Sequence, residues 1–283
     1  MAVRRATFDA QAVRTLSLRL PLVLFAVFTL FPIYWLARSS LMAEGALVRV
    51  PLQYAPLPPG LENYILAFGR IDLGRAVLNS ALVSIGACVL SLALVLVAAY
   101  GMSRFRFRGR SLLLLLLVAT QLIPQIMLLV PLFVVLGTLG LLDTLAGVTL
   151  AETLGTLPFS AILLKQFLDQ ITPELDEAAM LDGCGRLQAL ILVIMPLLIP
   201  GLVAVTIFNF ITVWNGLILP AVLLLSPENA TLPVALVQLA ASNSNSWGLQ
   251  AAGGMLNLVP TLVLFGLIQR FLVGGLASGA VKG

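Results

Sequence analysis

Long uncharged apolar runs, separated by short polar stretches, dominate the chain. Uncharged runs of this kind cover residues 20–37, 76–103, 111–142 and 249–269, and a further uncharged stretch of 41 residues lies between Arg186 and Glu228. The apolar run of residues 145–167 is interrupted only by Glu152 and Lys165. About 20 apolar residues in a helix cross the hydrocarbon core of a bilayer. The pattern therefore predicts an all-α integral membrane protein with six transmembrane helices within residues 20–273.

The polar stretches between these runs predict the connecting segments. Residues 38–75 are rich in proline and predict an external loop with a short surface helix near residues 61–68. Pro124 and Pro131 predict a bend in the third span, since proline removes a backbone hydrogen bond. Asp143 and Thr144 predict a brief turn, and residues 226–248 predict a second external loop.

The first run follows four arginines, Arg4, Arg5, Arg14 and Arg19, an arrangement that also occurs in signal peptides. We expect an uncleaved span after an N-terminal arm of residues 1–19, because the run has 18 residues and lacks a small-x-small cleavage site.

Composition supports the membrane assignment. Hydrophobic residues make up 60% of the chain and charged residues only 10%, with a mean hydropathy of +1.08, whereas soluble domains carry about 25% charged residues. Of the 16 lysines and arginines, all but Arg38, Arg49, Arg70 and Arg75 fall in segments predicted to share one side. The positive-inside rule then places both termini and the loop of residues 168–195 in the cytoplasm.

Several function classes are disfavoured by the residue types present. The chain has no histidine and only two cysteines, Cys88 and Cys184, so a zinc site, histidine-based catalysis and a disulfide are not expected. Basic and aromatic residues alternate over residues 104–110, but so short a run between two spans indicates a membrane anchor rather than nucleic-acid binding.

The loop of residues 168–195, called the acidic loop below, carries the densest acid in the sequence: Asp169, Glu174, Asp176, Glu177 and Asp182. Thr172 and Pro173 favour the start of a short helix, and acids in its first turn complement the helix dipole. Gly183 predicts a break before a second helix. Because their side chains are small, Ala178 and Ala179 would leave a smooth helix surface that another protein can approach closely.

The acidic loop resembles the EAA loop of permease subunits in binding-protein-dependent ABC importers. Glu177-Ala178-Ala179 is followed by Gly183 and, nine residues later, by a segment that ends Val193-Ile194-Met195-Pro196. Residues 269–283 are similar to the ending of the maltose-type carbohydrate permeases. The resemblance covers nearly the whole chain and implies a type I ABC-importer permease fold with a cytoplasmic coupling helix.

The resemblance also implies site residues and partners. The ATPase-coupling residues would be Glu177, Ala178, Ala179, Asp182, Gly183 and Pro196. Ala280, Val281 and Lys282 of the tail, residues 274–283, would contact the ATPase, the alternative being a disordered tail. The partners would be a second homologous permease subunit, two ATP-binding subunits and an extracytoplasmic sugar-binding protein, in the inner or plasma membrane of a bacterium or archaeon.

ATP hydrolysis is expected in the partner subunits, with ATP and Mg bound there and no cofactor in this chain. A phosphate-binding loop needs G-x-x-x-x-G-K-[ST], and neither Lys165 nor Lys282 has that context. We therefore expect a transport subunit for a carbohydrate in contact with membrane lipid, and neither an enzyme nor a nucleic-acid binder.

Two further groups are candidate sites. Asn209, Thr212, Trp214 and Asn215 could line a sugar path, since sugars favour polar groups beside an aromatic face; alternatively they bond neighbouring helices or, for Trp214, mark the membrane interface. By the family resemblance, the second external loop is expected to contact the binding protein through Asn243, Ser244, Asn245 and Ser246.

Glu152 is an isolated carboxylate within the fourth span, and such residues are functional candidates. It could line a wet cavity or reach outward, or it could belong to a proton relay. The relay would suit the alternative function, an ion-gradient-driven secondary transporter, which would also need inverted repeats, broken helices in matching positions and further buried carboxylates.

Overall fold

The computed structural model describes residues 2–70, 72–242 and 246–279, with side chains at 19–69, 72–242 and 246–267. Throughout these ranges the regular structure is helical, and they contain no strand. The α-helices are α1 (Ala2–Ser40), α2 (Glu44–Leu47), α3 (Glu62–Arg70), α4 (Leu73–Arg104), α5 (Arg110–Thr120), α6 (Leu129–Thr138), α7 (Leu145–Asp169), α8 (Glu174–Leu181), α9 (Arg186–Ala189), α10 (Met195–Leu197), α11 (Ile199–Trp214), α12 (Ile218–Leu223), α13 (Leu232–Ser242) and α14 (Trp247–Gly279).

The six predicted spans are present in two forms. Four are continuous apolar helices, Arg19–Ser40, Leu73–Arg104, Leu145–Asp169 and Trp247–Leu267. The other two correspond to helix pairs bent at a short break, and the total is six when each pair is taken as one span. The arm of residues 1–19 continues α1 back to Ala2 and forms no separate element.

The first bent pair is the third predicted span. Arg110–Thr120 and Gln125–Thr138 meet at 97°, and Pro124 precedes a 3₁₀ turn at Gln125–Leu128. Proline has no N–H to donate, so the helix is interrupted where the sequence predicted a bend. Pro131 lies inside α6.

The second bent pair is the fifth predicted span, and its first half includes the end of the acidic loop. Arg186–Leu197 and Ile199–Trp214 meet at 80°, with Pro196 and Pro200 on either side of the break. A π turn at Leu190–Ile194 precedes it. The helix direction therefore changes at Leu198, between the two halves of this pair.

The chain divides into two compact units, and the first consists of residues 1–70 and 239–256. Its loops are held by two polar side chains. Asn63 of α3 donates to the carbonyls of Ser40 and Met42 at 3.0 and 2.7 Å. The carboxylate of Glu44 accepts from the backbone N–H groups of Trp247 and Gly248 at 2.6 and 2.9 Å. A carboxylate at the start of α14 complements the helix dipole there.

The second unit, residues 71–238 and 257–283, is built on α4, α7 and α11. One buried cluster joins these helices to the acidic loop through Ala99, Leu164, Leu168, Ile194 and Val205. Close approach depends on small residues: a Cβ added at Gly201 of α11 would lie 2.7 to 3.0 Å from the ring and Cβ of Phe167 on α7. Small residues permit such close helix contacts within membranes.

The segment predicted as the second external loop is partly helical. Residues 227–229 form a 3₁₀ turn and α13 follows. Asn79 of α4 donates to the carbonyls of Glu228 and Ala230, both at 3.0 Å, and Ser80 accepts from the N–H of Leu232 at 2.8 Å. These bonds attach the start of the segment to α4.

Candidate functional site

The acidic loop folds as a short helix, a glycine turn and a second helix. The first, α8, begins at Glu174 after Pro173, and its N-terminus has no side-chain cap. The predicted Thr172 hydroxyl cap was wrong, because Pro173 occupies the capping position; Thr172 instead accepts from the N–H of Leu175 through its carbonyl.

The glycine turn closes α8 with two backbone hydrogen bonds, which run from the turn back to carbonyls of the last helical turn. Gly183 has φ +90°, a conformation that residues with a Cβ rarely adopt. Its N–H donates to Met180 O at 3.1 Å, and Cys184 N–H donates to Ala179 O at 3.0 Å. This is a Schellman motif, so the predicted break at Gly183 is confirmed.

One face of α8 is fixed to the end of α4 by a buried ion pair. Asp176 accepts from Arg104 Nε and from the Tyr100 hydroxyl, each at 2.7 Å, and its side chain is only 7% exposed. Arg104 also donates to the carbonyls of Leu168 and Ile171 at 3.2 and 2.9 Å. One guanidinium thus joins the ends of α4, α7 and α8.

The sequence did not predict this ion pair: Arg104 was assigned to a membrane anchor, and Asp176 was expected only to complement the helix dipole.

A second group of contacts surrounds the Asp176–Arg104 pair. Ser103 donates to Asp169 at 2.7 Å, Lys165 pairs with Asp169, and the Arg186 guanidinium lies 4.8 Å from the ring centre of Phe105. The basic run of residues 104–110 therefore contributes directly to the acidic loop.

The opposite face of α8 is exposed. Glu177, Ala178 and Asp182 are accessible, and Leu181 is 89% exposed. Ala179 lies on the buried face at 6% exposure, so the two alanines differ in position. The exposed face of α8 therefore has an apolar tip and acidic sides. Pro196 is exposed but lies at the bend before α11, outside α8.

The candidate path residues fall into two environments. Asn209 is fully buried, accepts from Ser160 at 2.7 Å and donates to Ser91 at 2.9 Å, so it joins α11 to both α7 and α4. This contact matches the helix-bonding alternative. Thr212 is exposed on the same helix.

The end of α11 contacts α14 through polar groups. Trp214 is 3% exposed and donates from Nε1 to the carbonyl of Asn257 at 2.9 Å. Asn215 is exposed, donates to Ile211 O at 2.8 Å and accepts from Asn257 Nδ2 at 3.0 Å. This contact of Trp214 matches the helix-bonding alternative.

Glu152 is 3% exposed within α7 and lies against the break between α11 and α12. A Cβ added at Gly216 would be 2.8 Å from Glu152 Oε1. Among the side chains that the structure describes, none donates a hydrogen bond to this carboxylate. Because the Glu152 side chain is buried, the alternative in which it reaches outward was wrong.

The remaining candidates lie largely outside the described residues: Asn243, Ser244 and Asn245 of the second external loop, and Ala280, Val281 and Lys282 of the tail. Ser246 is half-buried, and its carbonyl accepts from Gln250 N–H at 3.1 Å. Cys88 and Cys184 are both free, as expected. Within the described ranges no three histidine, cysteine or acidic residues are grouped as metal ligands.

Comparison with known proteins identifies a family over most of the chain. Residues 91–277 match the model of the binding-protein-dependent transport system inner membrane component. The chain is 34% identical over 269 residues to the inner membrane ABC transporter permease protein YcjP of Escherichia coli, covering 93% of this chain and 94% of that protein. It is 33% identical to the diacetylchitobiose uptake system permease protein DasC of Streptomyces coelicolor, with coverage of 89% and 92%.

A third relative is the sulfoquinovosyl glycerol transport system permease protein SmoH of Agrobacterium fabrum, 33% identical with coverage of 90% and 89%. Among solved structures, a chain of a bacterial ABC transporter that imports the acidic polysaccharide alginate superposes with a TM-score of 0.79 over 92% of this chain and 97% of that one. Its sequence identity is 23%, so the likeness bears on the fold alone.

Proposed function

Because the chain belongs to the family of binding-protein-dependent transport system inner membrane components, we propose that it is a permease subunit of an ATP-driven carbohydrate importer. In this proposal it forms half of the translocation pathway with a second permease subunit. Two ATP-binding subunits supply the energy and bind ATP and Mg, and an extracytoplasmic sugar-binding protein delivers the substrate. The acidic loop and both termini then lie in the cytoplasm.

The observation that carries the proposal is the two-faced geometry of α8. Its exposed face presents Glu177, Ala178 and Leu181, while its buried face is fixed through Asp176 to Arg104. An ATPase subunit that grips the exposed face would displace α8. Because Arg104 also bonds the carbonyls at the end of α7, that displacement would be passed to α4 and α7 together.

Each exposed residue has a distinct part in this proposed contact. Leu181 would enter an apolar pocket of the ATPase, and Glu177 and Asp182 would make charged contacts at its rim. Gly183 would preserve the turn that presents the helix. The tail residues Ala280, Val281 and Lys282 are proposed as a second contact with the ATPase subunits.

A carbohydrate substrate is proposed from the names of the relatives, two of which are permeases for diacetylchitobiose and sulfoquinovosyl glycerol. In the path, Thr212 and Asn215 are the exposed candidates. We propose Asn209 and Trp214 as groups that hold α11 in place beside it. The second external loop, including Ser246, is proposed to contact the binding protein.

The test is transport by vesicles that contain the four kinds of subunit, with Glu177→Ala and Gly183→Pro variants. We expect both variants to insert normally and to lose ATP-dependent sugar uptake. Glu62→Ala, which removes an exposed acid from α3 in the other unit, is the control and should transport normally. Uptake that needs an ion gradient and no ATP would instead establish a secondary transporter.

A further inference from the structure

The second helix of the acidic loop is attached to the rest of the second unit at its first residue, Arg186. This residue begins α9, and the segment Arg186–Leu197 is the half of the second bent pair that precedes Ile199–Trp214. The N–H of Ala189 donates to the carbonyl of Gly185 at 2.9 Å, so the helix is already formed at the glycine turn. The position of Arg186 therefore sets where this half of the fifth predicted span begins.

The guanidinium of Arg186 lies on an aromatic ring rather than on a carboxylate. It is 4.8 Å from the ring centre of Phe105, within the range of about 6 Å over which a cation and an aromatic face attract each other. Asp182 is close to Arg186 in sequence, yet none of the carboxylates that the structure describes is within ion-pair distance of Arg186. The Phe105 ring is therefore the described partner of this cation.

The ring of Phe105 is itself held by the end of α4. Phe105 directly follows Arg104, the last residue of α4, and has an extended backbone with φ −101° and ψ 137°. Its ring meets the ring of Tyr100 edge to face, with 6.2 Å between the ring centres and 85° between the planes. Aromatic pairs favour this arrangement. Tyr100 and Arg186 thus both contact the Phe105 ring.

Two neighbouring residues at the end of α4 therefore hold the two helices of the acidic loop. Arg104 holds α8 through the buried ion pair with Asp176, and Phe105 holds α9 through Arg186. The second contact is the weaker one, because Phe105 is 39% exposed and Arg186 is also exposed. A cation and an aromatic ring attract each other only modestly at an exposed site.

We propose that Phe105 is a positioning residue for coupling. Through Arg186 it fixes the segment Arg186–Leu197 to α4, so that a displacement of the acidic loop reaches the fifth predicted span together with α4 and α7. Without this contact, the turn at Gly183 would act as a hinge between a fixed α8 and a free α9. The inference rests on the proposed function, since coupling requires the ATPase subunits.

Hydrogen exchange of the purified full-length chain tests this contact without a partner or a solute. The N–H groups of Ala189 and Leu190 donate to the carbonyls of Gly185 and Arg186, so their exchange requires the start of α9 to open. Phe105→Leu removes the aromatic face and keeps an apolar side chain, and we expect about threefold faster exchange at these two amides. Phe105→Tyr keeps the aromatic face and should exchange at the original rate.

Phe107→Leu is the matched control. Phe107 is 45% exposed in the same loop, and among the described residues it makes no ring or cation contact. Its substitution should leave exchange in α9 unchanged. Arg186→Gln should accelerate exchange as Phe105→Leu does, and the double variant should show no further increase, because both single changes remove the same contact.

Assembled transporters in vesicles give a readout that a purely local packing role would not change. In Phe105→Leu and in Arg186→Gln, with ATPase subunits bound at the normal level, we expect sugar imported per ATP hydrolysed to fall about threefold. The double variant should fall by the same factor as each single variant. Phe105→Tyr and Phe107→Leu should keep the normal ratio.

Three results would overturn the inference. Equal acceleration of exchange by Phe107→Leu would mean that the loop responds to any loss of an aromatic ring. Losses that multiply in the double variant would mean that Phe105 and Arg186 act separately. A normal import ratio in Phe105→Leu, despite faster exchange, would reduce the contact to local packing. Absence of ATP-dependent import by the unsubstituted transporter would overturn the proposed function and with it the coupling role, whereas the exchange rates would still report the contact.

Discussion

The two ends of α7 are both held by an aspartate, but in physically different ways. At the end beside the acidic loop, Asp176 and Arg104 form an ion pair whose side chains are 7% and 8% exposed. At the other end, Asp143 is half-buried and accepts from the Ser226 hydroxyl and from the backbone N–H groups of Leu225 and Ser226, the last two at 2.9 Å. These hydrogen bonds lower the pKa of Asp143 to about 2.

The Asp176–Arg104 ion pair is a connection suited to transmitting force, whereas the hydrogen bonds of Asp143 close a turn. A buried ion pair joins its elements firmly, because removing one partner leaves the other charge buried and unpaired. Hydrogen bonds from water-accessible backbone groups can be replaced by water, so the loss of one acceptor changes little. The acidic-loop end of α7 should therefore be the more sensitive to substitution.

The largest expected effect is that of Asp176→Asn. The change keeps the shape of the side chain but leaves Arg104 without its counter-charge, and we expect a loss of about 3 to 5 kcal/mol in stability. Glu177→Gln, at the adjacent exposed acid, should change stability by less than about 0.5 kcal/mol. Thermal unfolding of the purified chain in detergent measures both. Equal effects at the two positions would contradict the proposed anchoring.

A double-mutant cycle that combines Arg104→Gln with Asp176→Asn tests whether the two side chains stabilise the fold through each other. The variant that carries both Arg104→Gln and Asp176→Asn buries no unpaired charge at this site, so its loss should be clearly smaller than the sum of the two single losses. Additive losses would mean that the two side chains act independently.

The next effect concerns packing near the acidic-loop end. Gly201→Ala would place a Cβ 2.7 to 3.0 Å from Phe167, and overpacking of this kind costs about 1 to 3 kcal/mol. Gly101→Ala is a matched control on α4, since nothing lies within 4 Å of its added Cβ. Unfolding midpoints that fall equally for both variants would show that α7 and α11 are not tightly packed there.

An intermediate effect is expected midway along α7, where Ser160 donates to Asn209. Asn209→Ala leaves the hydroxyls of Ser160 and Ser91 without this partner and should cost about 1 kcal/mol. Thr212→Val on the exposed side of α11 should leave stability unchanged and lower sugar transport. Reversed behaviour, with Thr212 affecting stability and Asn209 only transport, would exchange their assigned roles.

The smallest effect is expected at Asp143. Its pKa is about 2 in the folded chain and 3.8 as an unperturbed group, so its stabilising contribution is complete above pH 4 and disappears as the pH falls toward 2. Asp143→Asn tolerates the positive φ of 56° at this position. Its stability should lose this pH dependence, and unfolding curves measured between pH 5 and about pH 2 compare it with the unsubstituted chain.

The sequence predicted those parts of the fold that depend on local chemistry. Uncharged runs marked the spans, Pro124 marked a bend, and Gly183 marked the end of α8, because each effect arises within a few residues. The side-chain partners were not predictable in this way. Arg104 meets Asp176 72 residues away, and only packing of α4 against α7 brings them together.

The same distinction explains the candidate site. The exposed acids and Gly183 could be assigned from spacing, whereas the division of α8 into a fixed and a free face depends on tertiary contacts that place Ala179 inside and Ala178 outside. Thr212 and Asn209 are three residues apart on one helix but face different environments. Their polarity alone could not separate a path residue from one that bonds helices.

The central claim is that the Asp176–Arg104 pair carries the motion of α8 into α4 and α7. The most direct measurement is the amount of sugar imported per ATP hydrolysed by assembled transporters in vesicles. For Asp176→Asn we expect hydrolysis to continue while import per ATP falls several-fold, and for Asp143→Asn, at the other end of α7, we expect the normal ratio. An unchanged ratio in assembled Asp176→Asn transporters would contradict the claim.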